Sequence, residues 1–321
     1  MIHRFCIAPM MDRTDRHERY FLRTLSKEML LYTEMIHANA VIHGNKNNLL
    51  KYHASEHPLA IQLGGSNADD LLEASLIAEG KGFDEINLNV GCPSPRVQNG
   101  SFGAVLMKQP CLVRDCLKLL VENTNIPVTV KCRIGVDEMD EDKDLDNFVT
   151  TVKDSGCKTF IIHARKAWLK GLSPKDNREI PPLNYERVYR LKDSFPDLEI
   201  IINGGIETTN DALEHLKFVD GVMVGRSAYD NPYPLVNVDQ EIYNLSKIIP
   251  TRAEVLEGLV PYMKNEIKNG NKLGHLTKHL MGLFKNTKYA KKARYTLANI
   301  DDDFHPMEKF KLLINETKEL C

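Results

Sequence analysis

Cys92 is the side chain whose neighbours give it the most chemistry to do. The stretch Glu85-Ile-Asn-Leu-Asn-Val-Gly-Cys-Pro-Ser94 reads as a strand that delivers Asn89 and Cys92 onto a tight Gly-Cys-Pro turn. A cysteine on a turn at a strand end faces a cleft rather than a packed core. A nucleophilic role would want a neighbouring base to make the thiolate, and no His lies in the same motif. With an ordinary thiol pKa of about 8.5, cysteine stays protonated at neutral pH and can act as a proton donor. The remaining alternative is a structural cysteine.

Other polar sets end apolar runs in the same way: Gln62-Leu-Gly-Gly65, Val130-Lys-Cys-Arg133, His163-Ala-Arg165, Asn203-Gly-Gly205 and Gly225-Arg226. Together they describe a ring of strand-end chemistry. Asn203-Gly204-Gly205 and Gly225-Arg226 close the seventh and eighth runs, where a barrel commonly builds a phosphate site from backbone N–H groups and a helix N-terminus. Arg226 adds charge-assisted bonds. Flavin mononucleotide (FMN) is the small candidate such a site would hold. Lys131 sits mid-strand and should face inward, where its ammonium needs an anionic partner such as a reduced flavin. Gln62 and His163 could hydrogen-bond the flavin ring edge or its phosphate tail, although an inward His can also be a satisfied core residue.

These residues need elements to hold them. Short apolar or alternating runs predict strands over residues 5–10, 30–36, 59–63, 85–90, 128–134, 159–164, 200–203 and 221–224. Helical patterns lie between them over residues 16–27, 68–81, 112–123, 145–155, 185–194 and 210–218. Eight alternating units over about 230 residues imply a parallel sheet, either a barrel or a doubly wound open sheet. No Gly-x-Gly-x-x-Gly follows the first strand, so the (β/α)8 TIM barrel is favoured. Beyond Asn231-Pro-Tyr-Pro234 the chain reads as helix only, over residues 252–269, 272–287, 289–299 and 305–320, with the acidic stop Asp301-Asp-Asp303. The expected division is a catalytic barrel over residues 1–238 and a small all-helical C-terminal domain over residues 239–321.

The net charge of −2 conceals an asymmetry. Residues 264–294 hold nine Lys/Arg and one acid, about +8, which leaves about −10 on the rest. That distribution suits either a polyanion-binding surface or a solvated helix face. Residues 137–146 hold seven acids but lack the Gly and closing Glu of a calcium loop, with Leu145 and Thr151 in those places, so a solvated turn is expected. Residues 166–183 form a long loop after the sixth strand, with Lys166, Lys170, Lys175 and Arg178, and loops of that length at this position are usually functional. The seven cysteines form no Cys-x-x-Cys pair, which argues against a disulfide framework or a metal site and for a reducing, cytoplasmic setting. No leader or membrane span is evident, and nothing calls for an obligate protein partner.

The ordered set Ala8-Pro9-Met10, Gln62, Asn87-Leu-Asn89-Val-Gly-Cys92-Pro-Ser94, Lys131-Cys-Arg133, His163-Ala-Arg165, Asn203-Gly-Gly205 and Gly225-Arg226 resembles the tRNA-dihydrouridine synthases over essentially the whole chain. The loop from His163 to Pro182 looks like the branch associated with uridines 20 and 20a of the tRNA D-loop. The resemblance implies FMN over the barrel mouth, with Ala8, Pro9 and Met10 lining it. Gln62, Lys131, His163, Asn203, Gly204, Gly205, Gly225 and Arg226 would hold it. It further implies that Asn89 contacts the uracil, that Cys92 protonates C5 after hydride reaches C6, and that NADPH is the transient reductant. Lys175, Arg178 and Arg294 would contact tRNA. Two rivals remain: an FMN barrel acting on a free small molecule, of the dihydroorotate dehydrogenase kind, and a non-catalytic RNA-binding module.

Overall fold

The computed structural model describes residues 2–302 and 305–318. Residue 303 of the acidic stop, residues 319 and 320 of the last expected helix, and Cys321 lie outside the described residues. Eight strands follow in chain order: β1 (Phe5–Ile7), β2 (Leu31–His37), β3 (Leu59–Gly64), β4 (Glu85–Asn89), β5 (Val128–Arg133), β6 (Thr159–His163), β7 (Glu199–Asn203) and β8 (Gly221–Val224). All neighbours pair in parallel in the order β1-β8-β7-β6-β5-β4-β3-β2. Closure between β1 and β2 rests on two backbone bonds around Cys6, from Ile7 N to the Leu30 carbonyl (2.9 Å) and from Leu30 N to the Phe5 carbonyl (3.1 Å). The chain is a (β/α)8 barrel followed by helices.

Both faces of these strands are buried, so they read as apolar runs rather than clean alternations. Period 2 still sorts the side chains. Phe5, Ile7, Val222 and Val224 join the large apolar layer between strands and helices, whereas Cys6, Ala8, Tyr32, Ala60, Ile161, Ile201 and Met223 pack together inside the barrel. The helices Arg16–Leu25, Ala68–Gly80, Tyr185–Ser194 and Thr209–His215 start at Asp15, Asn67, Asn184 and Thr208, whose side chains cap the first-turn N–H groups.

Two expected elements end early. β1 stops at Ile7: Ala8 N still bonds the Val224 carbonyl (2.8 Å), but Pro9 has no N–H to continue the ladder. The helix expected over residues 272–287 breaks into Gly274–Thr277 and the 3-10 turn Lys278–Gly282. There the chain runs so close to the barrel that a Cβ on Gly282 would lie 2.7 Å from the Tyr229 carbonyl oxygen. The other C-terminal helices are Arg252–Lys268, Ala290–Ala298 and Pro306–Lys318. The helical segment meets the first barrel helix through Tyr262, which stacks on Tyr20 at 3.8 Å and bonds Arg16 Nη1 and His17 Nδ1. Arg16–Glu266 (2.5 Å) and His279–Asp15 (2.9 Å) reinforce this contact. The acid-rich turn is tied down by arginines: Arg187 pairs with Asp142 and Asp146, and Arg190 with Asp142.

The closed end of the barrel is polar. His3 lies between Glu85 (2.5 Å) and Glu199 (2.8 Å), with only 5% of its side chain exposed. Burial opposes its charge, but the hydrogen bonds to Glu199 and Glu85 outweigh that and push its pKa up to about 9. The folded state therefore holds a proton that the unfolded chain releases above 6.5. Stability from this group is fully present below pH 6.5 and is lost as pH rises through 9. Urea unfolding across that window should show a fall of roughly 3 kcal/mol, and His3→Gln should remove most of that slope.

Candidate active site

The C-terminal ends of the strands gather the residues that the sequence singled out. β4 delivers Asn89, whose carboxamide oxygen accepts from Gly91 N (3.1 Å) and Cys92 N (3.0 Å). This side chain, not a regular backbone turn, gives the Cys92 loop its shape. The Cys92 carbonyl accepts from Ala104 N at 2.9 Å. That return contact requires Gly103, which has φ +74° and whose Cβ would stand 2.6 Å from the same carbonyl oxygen. The Cys92 side chain remains partly exposed.

Arg133, at the end of β5, is buried and spans two loops. Its Nε donates to the Gly91 carbonyl (2.9 Å), and its Nη1 donates to the carbonyls of Lys166 (3.0 Å) and Asn177 (3.1 Å). Burial pulls its pKa down to about 10, with Arg178 and Arg165 adding to the pull against a counteracting Cys92. Asn177 is fully buried and organises the long loop from within, accepting from Trp168 N (2.7 Å) and donating to the carbonyl of Trp168 (2.9 Å). Gln98 ties the two loops together by donating to the carbonyls of Pro93 and Leu169. The residues from 166 to 183 are thus fastened to the Cys92 turn.

Lys131 points inward, as expected, and its Nζ donates to Asn203 Oδ1 at 2.9 Å. Asn203 in turn donates to the Met223 carbonyl at 2.7 Å. An ammonium has three donors, so two remain for a ligand. Burial, with Arg133 adding to it, draws the Lys131 pKa down to about 8. His163 is held well below its usual range by burial and then by Arg133, Lys131, Arg165 and Arg178, which leaves it neutral. Gln62 is buried and bonds Asn89 and Asn87.

Gly204 (φ +114°) and Gly205 (φ +71°) lie where a Cβ would strike the His163 ring or Leu183 and Tyr185. A Cβ on Gly225 would meet only Ala8, at an ordinary contact distance of 3.9 Å. Pro9 and Met10 are partly exposed beside it. Arg226, expected at the phosphate loop, pairs with Glu179 at 2.6 Å on the long loop. Lys175 and Arg178 are exposed on that loop. Arg294 lies in the C-terminal helix Ala290–Ala298, exposed, with Nε bonded to the Ala290 carbonyl of its own helix.

The donor set fits an anionic ligand rich in acceptors. After burial, Arg226 depresses Arg178, and Arg165 is likewise lowered, so the mouth carries a surplus of positive charge on mutually repelling groups. The uncrowded backbone at Gly225 and the unused N–H groups of Lys131 suit a ring and phosphate such as those of FMN. Sequence reasoning missed Arg133, Asn177 and Gly103 as the parts that hold the thiol in place. Arg133 alone stood in a quoted motif.

Residues 6–318 match the family described as Dihydrouridine synthase (Dus). The chain belongs to the dihydrouridine synthase family. It is 52% identical over 298 residues to the tRNA-dihydrouridine(20/20a) synthase of Synechocystis sp., covering 93% of this chain and 89% of that protein. The protein of the same description from Escherichia coli O6:H1 is 54% identical over 297 residues, covering 92% and 89%. That from Vibrio vulnificus is 53% identical over 292 residues, covering 91% and 89%. Among solved structures, a 2-naphthoyl-CoA reductase complex superposes with a TM-score of 0.58 at 10% identity, over 74% of this chain and 50% of that one. At that identity the likeness speaks only for the barrel.

In this dihydrouridine synthase family member, Arg133→Met should leave the carbonyls of Gly91, Lys166 and Asn177 without their donor. A loss of roughly 3 kcal/mol is expected. Limited proteolysis should then cut within residues 166–183 well before it cuts the barrel strands.

Proposed function

We propose that this protein reduces the C5=C6 bond of uridine in tRNA to 5,6-dihydrouridine, with FMN bound at the mouth and NADPH as reductant. The observation that carries this reading is the Cys92 turn braced by Asn89 and Arg133 beside a cationic mouth, in a chain of this family. Lys131, Gln62, His163, Asn203, Gly204, Gly205, Gly225 and Arg226 would hold the flavin, and Ala8, Pro9 and Met10 would line it. When bound and reduced, FMN supplies the hydride for C6 of the uracil.

The remaining chemistry belongs to the chain. The C5=C6 bond is conjugated to the C4 carbonyl, so addition at C6 places negative charge on C5 and O4. Cys92 holds the proton that C5 must receive. Asn89 has its oxygen and one N–H engaged, which leaves the second N–H for a uracil carbonyl. Neutral His163 can donate from one ring nitrogen and accept at the other.

A uracil within folded tRNA must be extruded to reach this depth, at an expense of a few kcal/mol of stacking. Phosphate contacts to Lys175, Arg178 and Arg294, and to the cationic segment between residues 264 and 294, would offset it. In this reading residues 1–238 are the catalytic unit and residues 239–321 the tRNA-binding unit. Positions 20 and 20a of the D-loop are the proposed targets, after the description of the relatives. NADPH would use the same mouth transiently. The six cysteines among the described residues are all free, which suits a reducing compartment, and the cytoplasm is the proposed location. No helix among the described residues is long and apolar enough to cross a membrane.

The purified protein should show a flavin spectrum that NADPH bleaches and that bulk tRNA restores, while free uridine does not. Restoration by a free pyrimidine alone would point to a small-molecule reductase. Cys92→Ala should retain the flavin and tRNA binding yet lose about 100-fold or more of dihydrouridine formation; unchanged turnover would remove Cys92 from the mechanism.

A further inference from the structure

Five polar side chains run up the inside of the barrel in one hydrogen-bonded line. β4 turns Glu85, Asn87 and Asn89 inward, and its neighbours bridge them alternately: Thr129 of β5 joins Glu85 to Asn87, and Gln62 of β3 joins Asn87 to Asn89. The direction of every bond in this line follows from its ends. At the lower end the Glu85 carboxylate accepts from Tyr32, His3 and Thr129. The Thr129 hydroxyl lies 2.6 Å from Glu85 Oε1 but 3.5 Å from the Ile86 carbonyl, so its single proton goes to Glu85.

Thr129 must therefore accept, and it does so from Asn87 Nδ2 at 2.8 Å. Asn87 then turns its oxygen to Gln62 Nε2 (2.7 Å), and Gln62 turns its oxygen to Asn89 Nδ2 (2.8 Å). Asn89 is left with its oxygen toward Gly91 N and Cys92 N. The upper end demands the same polarity, because two backbone N–H groups can only donate. The two ends agree across four buried links.

The geometry points to Glu85 as a positioning residue for Cys92, acting through Thr129, Asn87, Gln62 and Asn89 to keep a carboxamide oxygen under the Cys92 turn. Its bearing on turnover rests on the proposed role of Cys92; the alignment itself does not. Glutamine at position 85 keeps one acceptor oxygen, and with that oxygen toward the His3 N–H its amide group presents Thr129 with a donor instead of an acceptor. The line can then reverse, which turns the Asn89 amide group toward two N–H groups and opens the turn.

Amide hydrogen exchange on the full-length protein tests this without flavin or tRNA. Glu85→Gln should raise exchange over residues 90–94 about tenfold while residues 159–163 and 199–203 keep their protection. Adding Asn87→Asp to that variant restores a carboxylate one link higher, which accepts from Gln62 and Thr129 while the introduced glutamine amide donates to Thr129. Exchange over residues 90–94 should then return to the starting rate. If Glu85→Gln does not fold, Thr129→Val cuts the line while leaving Glu85 bonded to His3 and Tyr32, and it should give the same local rise. Unchanged exchange at residues 90–94, a rise spread evenly through the barrel, or no rescue by Asn87→Asp would each overturn the proposal. Failure of tRNA reduction with the predicted exchange intact would count against the function and leave the alignment standing.

Discussion

Two backbone N–H groups, on Gly91 and Cys92, bond to one carboxamide oxygen, on Asn89. That contact places a thiol at the mouth of a barrel whose interior pairs an apolar cluster, including Ile161, Ile201 and Met223, with a line of buried polar side chains. An amide can hold a turn in this way only if it does not rotate. Here the polar line through Gln62, Asn87 and Thr129 fixes it from below. Burying so many polar groups would be costly if any member lacked a partner. Each donates and accepts, and the line ends on the His3–Glu85–Glu199 cluster at the closed end.

Around this thiol the barrel collects charge of one sign. Lys131, Arg133, Arg165, Arg178 and Arg226 come from several different segments; burial first, and then repulsion between neighbouring cations, lowers the pKa values of Lys131, Arg133, Arg165 and Arg178. Such a mouth is uncomfortable without an anion and is relieved by one. Arg133 has a second task that keeps it from being a mere charge: its three carbonyl contacts bind the thiol's turn to the long loop that carries Lys175 and Arg178. A ligand gripping the loop and the Cys92 thiol would therefore share one bracket.

Much of this was legible in the sequence. Eight apolar runs ending in polar residues identified the barrel, and the inward direction of Lys131 followed from its position within a strand. Asn89, Cys92, His163 and Asn203 were also readable, because each stands at or just past the end of its run, while Gln62 and Lys131 stand within theirs. What could not be read depends on partners far apart in the chain. His3 and Glu85 are separated by 82 residues, and Arg133 and Asn177 by 44, and neither pairing leaves a periodic trace. The pairing of Arg226 with Glu179, 47 residues away, is of the same kind. The broken helix over residues 272–287 had two glycines as its signal, but only the nearness of the Tyr229 carbonyl explains why Gly282 is needed.

The central claim is that a protein-held acid delivers the proton to C5 from one side. The most direct measurement is to form dihydrouridine on tRNA in deuterated water and determine the configuration of deuterium at C5 after nucleoside digestion. A donor fixed as Cys92 is fixed here predicts deuterium on a single face of C5. Deuterium distributed over both faces would mean that solvent, not the enzyme's thiol, completes the reaction, and would contradict the account.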